Sequence, residues 1–175
     1  MTETLTAFTG HSRLITGSPA DVALALKRVI TDAPVLVFSD VTGRETDLDV
    51  SGSDDDIRAR YGAADEPRGR GRPKLGVTAR EVTLLPRHWD WLNDQPGGAS
   101  AALRRLIDAA RKSPEAEART RRDVTYRFLA AIAGDYPGFE NAARALYAGD
   151  RAGFEARLAP WPADVADHAL KLAYG

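Results

Sequence analysis

Arg68, Arg70, Arg72 and Lys74 occupy every second position of the stretch P-R-G-R-G-R-P-K, with glycine and proline between them. Cations at this spacing, on a backbone with little bulk, suit a polyanion. Gly71 has no Cβ, so the chain there can approach a groove floor while the guanidinium groups of Arg70 and Arg72 run along a groove whose negative potential is deepest where it is narrow. Pro73 fixes an extended exit and removes a backbone donor. The same composition also describes a flexible basic linker, so its meaning depends on the elements around it.

Other reactive groups are sparse. Cysteine is absent, which excludes disulfides, thiolate metal sites and a cysteine nucleophile, and suits a reducing cytoplasm. Asp135, Asp150, Asp164, Asp167 and His168 have the side chains of a general acid and base. Asp164, however, is expected to cap a helix, and His168, one turn on, to be a surface or packing residue. The triplet Asp54, Asp55 and Asp56 reads as a helix start, because three successive carboxylates cannot all face one ion. His11, His88 and His168 have no ligand spacing. Neither a phosphate-binding glycine loop with a following lysine nor the motifs H-E-x-x-H and G-x-S-x-G occur. The expectation is a protein without catalytic residues, metal or cofactor.

Charge is divided along the chain. Residues 1–66 hold 6 Lys/Arg against 12 Asp/Glu, residues 67–122 hold 13 against 6, and residues 123–175 hold 5 against 7. The net charge of −1 therefore hides a basic middle, which points to a polyanionic partner for that segment or to neutralisation by the acidic part. The N-terminus lacks a basic stretch followed by an apolar run, and no apolar run of roughly eighteen residues occurs, so neither export nor membrane spanning is expected.

The periodicities predict an α+β chain. Residues 4–9 and 12–16 alternate as a hairpin across Gly10 and His11. Ser18-Pro19-Ala20-Asp21 has the N-cap, N1 proline and N3 acid of a helix start. Val22, Leu26, Val29 and Ile30 then form the face that packs on the hairpin. Residues 34–38 and 46–50 read as two further strands, giving a ββαββ unit over 1–62. A basic linker fills 63–77. Residues 78–85 read as a strand closed by Pro86, 87–93 as a short helix, and 99–112 as a helix with Leu103, Leu106, Ile107 and Ala110 on one face. Residues 113–175 are wholly helical, with breaks at G-D-Y-P-G and Gly149-Asp150. Trp89 and Trp91 are expected as core or interface anchors.

Three resemblances follow. Arg70-Gly71-Arg72-Pro73 looks like the core of the AT-hook, which implies a peptide lying in the minor groove of A·T-rich DNA. The order of strand, helix, glycine turn and helix over 78–112 resembles the ribbon-helix-helix superfamily, to which the Arc and methionine repressors belong. That resemblance implies a dimer whose paired strands enter the major groove. It also implies a second helix that forms the dimer core and whose N-terminal amides clamp a phosphate. Transferred to this sequence, the outward ribbon set is either Thr78, Arg80, Val82 and Leu84 or Ala79, Glu81, Thr83 and Leu85. Arg80, Thr83 and Arg87 are then the polar contacts, and the amides of Ala99 and Ser100 with Arg104 and Arg105 are the phosphate contacts. Finally, Gly71-Arg72-Pro73-Lys74-Leu75-Gly76, Leu85-Pro86-Arg87-His88-Trp89 and Trp161-Pro162-Ala163-Asp164-Val165 resemble a bacterial family catalogued as domain of unknown function 2239, which implies a bacterial cytoplasmic protein.

The expected function is a dimeric DNA-binding regulator or nucleoid-associated protein that binds double-stranded, A·T-rich DNA through Arg68, Arg70, Gly71, Arg72, Pro73 and Lys74 together with the strand-helix-helix. The alternative is an adaptor whose C-terminal helices bind a partner protein through Phe139, Leu146, Tyr147, Phe154 and Trp161.

Overall fold

The hairpin forms as its alternation requires. In the computed structural model, which describes residues 3–62, 76 and 78–175, β1 (Leu5–Thr9) and β2 (Ser12–Gly17) pair antiparallel across Gly10 and His11, with a bulge between Ala7 and Phe8. β3 (Val35–Ser39) pairs antiparallel with the other edge of β1, so the order is β2-β1-β3. Successive side chains of a strand point to opposite faces. Leu5, Ala7 and Val37 therefore meet Val22 of α1 (Pro19–Arg28) on one face, and Phe8 and Phe38 meet Phe128 on the other. With both faces covered, β1 is buried from Leu5 to Phe8.

Helix α1 starts as the sequence predicts: Ser18 Oγ accepts from the Asp21 amide, with Pro19 in the first turn. It stops at Arg28, two residues before the expected face ends, and Ile30 lies beyond it, fully exposed. Its last turn is anchored by Lys27 and Arg28 on Asp54, the first residue of α2 (Asp54–Tyr61). The acidic triplet is a helix start. Ser53 and Asp56 form a reciprocal capping box, and the hydrogen bonds from Ser53 hold the Asp56 carboxyl below its usual range.

The fourth strand expected at 46–50 does not form. Apart from one bridge between Phe38 and Glu45, the sheet ends at β3. The alternating residues of this segment place Leu48 and Val50 against Ala23, Leu24 and Ile57, while Asp49 pairs with Arg60. The period-2 pattern is real, but its apolar side serves the helices rather than a fourth ladder. The N-terminal unit is thus ββαβα.

The C-terminal helices are α5 (Pro114–Ile132), α6 (Phe139–Ala148), α7 (Arg151–Leu158) and α8 (Ala163–Tyr174). Their largest buried side chains share one core with the sheet. Phe38 packs edge-on to Phe128 at 5.0 Å between ring centres, and Phe8 lies 5.5 Å from the same ring. Burying each phenyl ring contributes about 1.5–3 kcal/mol. Segments 1–62 and 113–175, expected as separate domains, are joined by this core.

The chain divides into two compact units, Met1–Ala64 with Ala118–Gly175, and Asp65–Glu117. The described part of the second contains α3 (Pro86–Asn93) and α4 (Gly98–Arg111), linked through Gly97 at φ 85°. Pro86 occupies the first turn of α3, where its missing amide hydrogen costs nothing.

Candidate nucleic-acid interface

Residues 78–85 run without turn, bend or strand pairing, so the strand expected there has no ladder among the described residues. Apart from Leu84 they are also exposed. Thr78, Arg80, Thr83 and Arg87 are all exposed, as is Val82 at 52%. The helical hairpin that follows brings α3 against α4, and between them lies an apolar groove of about 250 Å³ lined by Leu84, His88, Trp91, Leu92, Leu103 and Leu106.

This hairpin has almost no interior. Of its apolar side chains only Leu92 and Ala102 are buried among the described residues of the unit, at 3% and 2% exposure. Trp91, expected as an anchor, is 52% exposed, and Leu106 and Ile107 are 49% and 54% exposed. The i, i+3, i+4 face read from the sequence is present on α4, with Leu103 half-buried against α3 and Leu106 and Ile107 left about half exposed.

The cations of the two units differ in their partners. In the first unit Arg13, Lys27, Arg28, Arg58, Arg60, Arg151 and Lys171 each pair with a carboxylate, whereas Arg44, Arg119, Arg121, Arg122, Arg127, Arg144 and Arg157 have none among the described residues. In the second, none of Arg80, Arg87, Arg104, Arg105, Arg111 and Lys112 has a carboxylate partner among the described residues, and all are exposed. Arg104 and Arg105 sit nearly two turns into α4, whose first-turn amides, including those of Ala99 and Ser100, have no capping side chain. An uncapped helix start with adjacent guanidinium groups is a favourable place for a phosphate oxygen. The remaining sequence-predicted contacts, Arg68, Arg70, Gly71, Arg72, Pro73 and Lys74, lie outside the described residues, as does all of the expected linker except Gly76.

A family model described as "Uncharacterized protein conserved in bacteria (DUF2239)" matches residues 4–173. The chain belongs to this family. Its match spans the described residues of both units. No curated protein matches the chain, and no solved structure does.

The carboxylates and histidine singled out in the sequence have other places. Asp164 does not cap α8, where Pro162 holds the N-cap position; instead its carboxylate accepts from the Arg13 amide at 2.9 Å. His168 is fully buried among Phe8 and Phe128 and is a packing residue. Burial pushes its imidazole down to about 4, helped by Lys171 and Arg13 and opposed by Asp40. It is therefore a neutral ring at pH 7. Among the described residues, no group of three or more His, Asp or Glu is placed to hold a metal, and no helix is long and apolar enough to cross a membrane.

Of the aromatic and aliphatic groups that an adaptor surface would use, Leu146, Phe154 and Trp161 are buried, with Trp161 Nε1 donating to the Pro137 carbonyl at 3.1 Å. Phe139 is half-buried, and Tyr147 is exposed.

Proposed function

We propose that the chain is a DNA-binding protein of the bacterial cytoplasm, acting as a dimer in transcription regulation or nucleoid organisation. One observation carries this reading: the cations of residues 78–112 are exposed and none has a carboxylate partner among the described residues, whereas half of the described cations elsewhere are paired. Unpaired guanidinium groups gain most from a polyanion, because binding releases the counterions condensed on it. The segregated charge of residues 67–122 extends the same surface in sequence. Arg70-Gly71-Arg72-Pro73 supplies an arm for an A·T-rich minor groove, and Arg104 and Arg105 with the α4 amides hold phosphate. A second copy covers the open apolar face of α4.

The test is a fluorescence-anisotropy titration of the full chain against A·T-rich, G·C-rich and single-stranded probes at two salt concentrations. Binding is expected to be tightest on A·T-rich duplex and to fall steeply with salt. Replacing Arg70 and Arg72 by Ala should weaken the A·T-rich complex most, whereas R104A with R105A should weaken all duplexes alike and lower the salt slope by about two. Affinity that ignores both salt and these substitutions contradicts the reading.

A further inference from the structure

Asn141, Arg144, Ala145 and Ala148 recur on α6 at the i, i+3, i+4, i+7 spacing that lines residues up along one helix face. Helix α6 packs against α7, and an open groove of about 240 Å³ runs along this face, completed by Asp150 and Arg157. Its floor is low, since Ala145 is buried and Ala148 adds only a methyl. Its walls are cationic. Arg144 and Arg157 are exposed, and neither has a carboxylate partner among the described residues, although Asp150 lines the same groove.

That carboxylate is turned to the backbone instead. Asp150 is the N-cap of α7, and its Oδ1 accepts from the Gly153 amide at 2.9 Å. Glycine at 153 allows this close approach, because a Cβ there would collide with Asp150 Oδ2. Asn141 is oriented as well. Its Oδ1 accepts from Arg144 Nη1 at 3.3 Å, which leaves its amino group free to donate. Another guanidinium, that of Arg122, stands beside Gly149, where a Cβ would lie 3.2 Å from Nη2.

We infer that the α6–α7 groove is a binding site for a phosphate group, held by Arg144 and Arg157 with the Asn141 amino group as a further donor. A planar carboxylate offers two oxygens and is satisfied by a single guanidinium fork. A phosphate group presents more oxygens, in a tetrahedral arrangement, and can take hydrogen bonds from two helices at once. Two unpaired arginines and an amide amino group around a floor of alanine match that acceptor set. The phosphate can belong to a nucleic-acid backbone or to a free phosphate compound, and the recognition chemistry is the same for both. The site stands independently of the DNA-binding reading, because α6 and α7 lie in the unit that does not contain residues 78–112.

The experiment is an NMR titration of the full-length, isotope-labelled protein with inorganic phosphate, and with sodium chloride at matched ionic strength. Saturable shifts are expected in residues 141–157 at roughly millimolar phosphate, without a counterpart in chloride. Arg144→Gln and Arg157→Gln should each weaken this binding by about 10-fold or more. Both positions are exposed, so the thermal melts of the variants should match the wild type. Anisotropy titrations of duplex DNA then identify the source. A salt slope lowered by about two in the double variant assigns the site to nucleic-acid phosphate, and an unchanged slope assigns it to a free phosphate compound. Signals that stay still up to roughly 50 mM phosphate, that move equally in chloride, or that respond alike in the variants overturn the site whatever the duplex does.

Discussion

Asp40 Oδ1 stands 3.4 Å from Nε2 of His168, a side chain with no exposed surface and no hydrogen-bond partner for either ring nitrogen. The carboxylate is occupied elsewhere: it accepts from Thr6 Oγ1 at 2.8 Å and from Lys171 Nζ at 3.2 Å. Asp40 thus ties the end of β3 to β1 and α8, and the imidazole beside it fills space among Phe8 and Phe128 as a neutral ring.

That neutrality sets a pH dependence of stability. The folded imidazole is pushed down to about 4 by burial, whereas in the unfolded chain it titrates near 6.5. Between these values the unfolded state binds the extra proton, so stability is fully present above about pH 6.5 and falls as pH drops toward 4. The loss from this group is on the order of 3 kcal/mol, levelling off once the folded form is also protonated. Denaturant melts at pH 7 and 4.5 should show the wild type losing more stability than His168→Leu. The ring protons of His168 should not titrate in NMR spectra above about pH 5. A ring that titrates near 6.5 contradicts the burial argument.

Gly43 provides a sharper steric test. It lies in the turn after β3 at φ 68°, and a Cβ there would come 2.0 Å from the Val124 carbonyl oxygen of α5. Backbone cannot yield as a flexible side chain does, so Gly43→Ala is expected to destabilise by more than about 3 kcal/mol. Gly10 in the β1–β2 turn also has positive φ, at 53°, but nothing lies within 4 Å of its would-be Cβ. Gly10→Ala therefore meets only the left-handed backbone penalty of about 1–2 kcal/mol. Thermal melts of the two variants measure the difference, and equal losses would mean that the turn does not press on α5.

Several elements were legible because their signals are local. Ser18-Pro19 and Ser53 with Asp56 mark helix starts by satisfying their own first-turn amides, and Gly149-Asp150 separates α6 from α7 by ending one helix and capping the next. Residues 46–50 were misread because alternation reports an extended segment with one apolar side. It does not report whether that side meets a sheet or, as with Leu48 and Val50, two helices. Asp40 and His168 come from opposite ends of the chain, and no spacing rule connects them. At the candidate interface, composition located the basic segment but could not distinguish Arg60, paired with Asp49, from Arg87, which has no such partner among the described residues. Helical periodicity likewise gave the apolar face of α4 without saying that it is left open.

That open face leads to a prediction about assembly. The α3–α4 unit buries only Leu92 and Ala102 among its described apolar side chains, too little for so short a segment to be stable by itself. Leu106 and Ile107 are each about half exposed on α4, beside the groove that Leu103 and Trp91 line. A second copy of the same helix supplies the missing apolar surface, as a two-fold interface does when one patch meets itself. Sedimentation equilibrium should find the wild type dimeric at micromolar concentration. Leu106→Asp with Ile107→Asp should weaken association by roughly 100-fold or more, since two carboxylates would then face apolar surface. Both positions are exposed in the single chain, so the melt of the sheet and C-terminal helices should change little. A wild-type chain that remains monomeric at roughly 100 μM would remove the dimer from the proposed function and leave the unpaired cations as its remaining support.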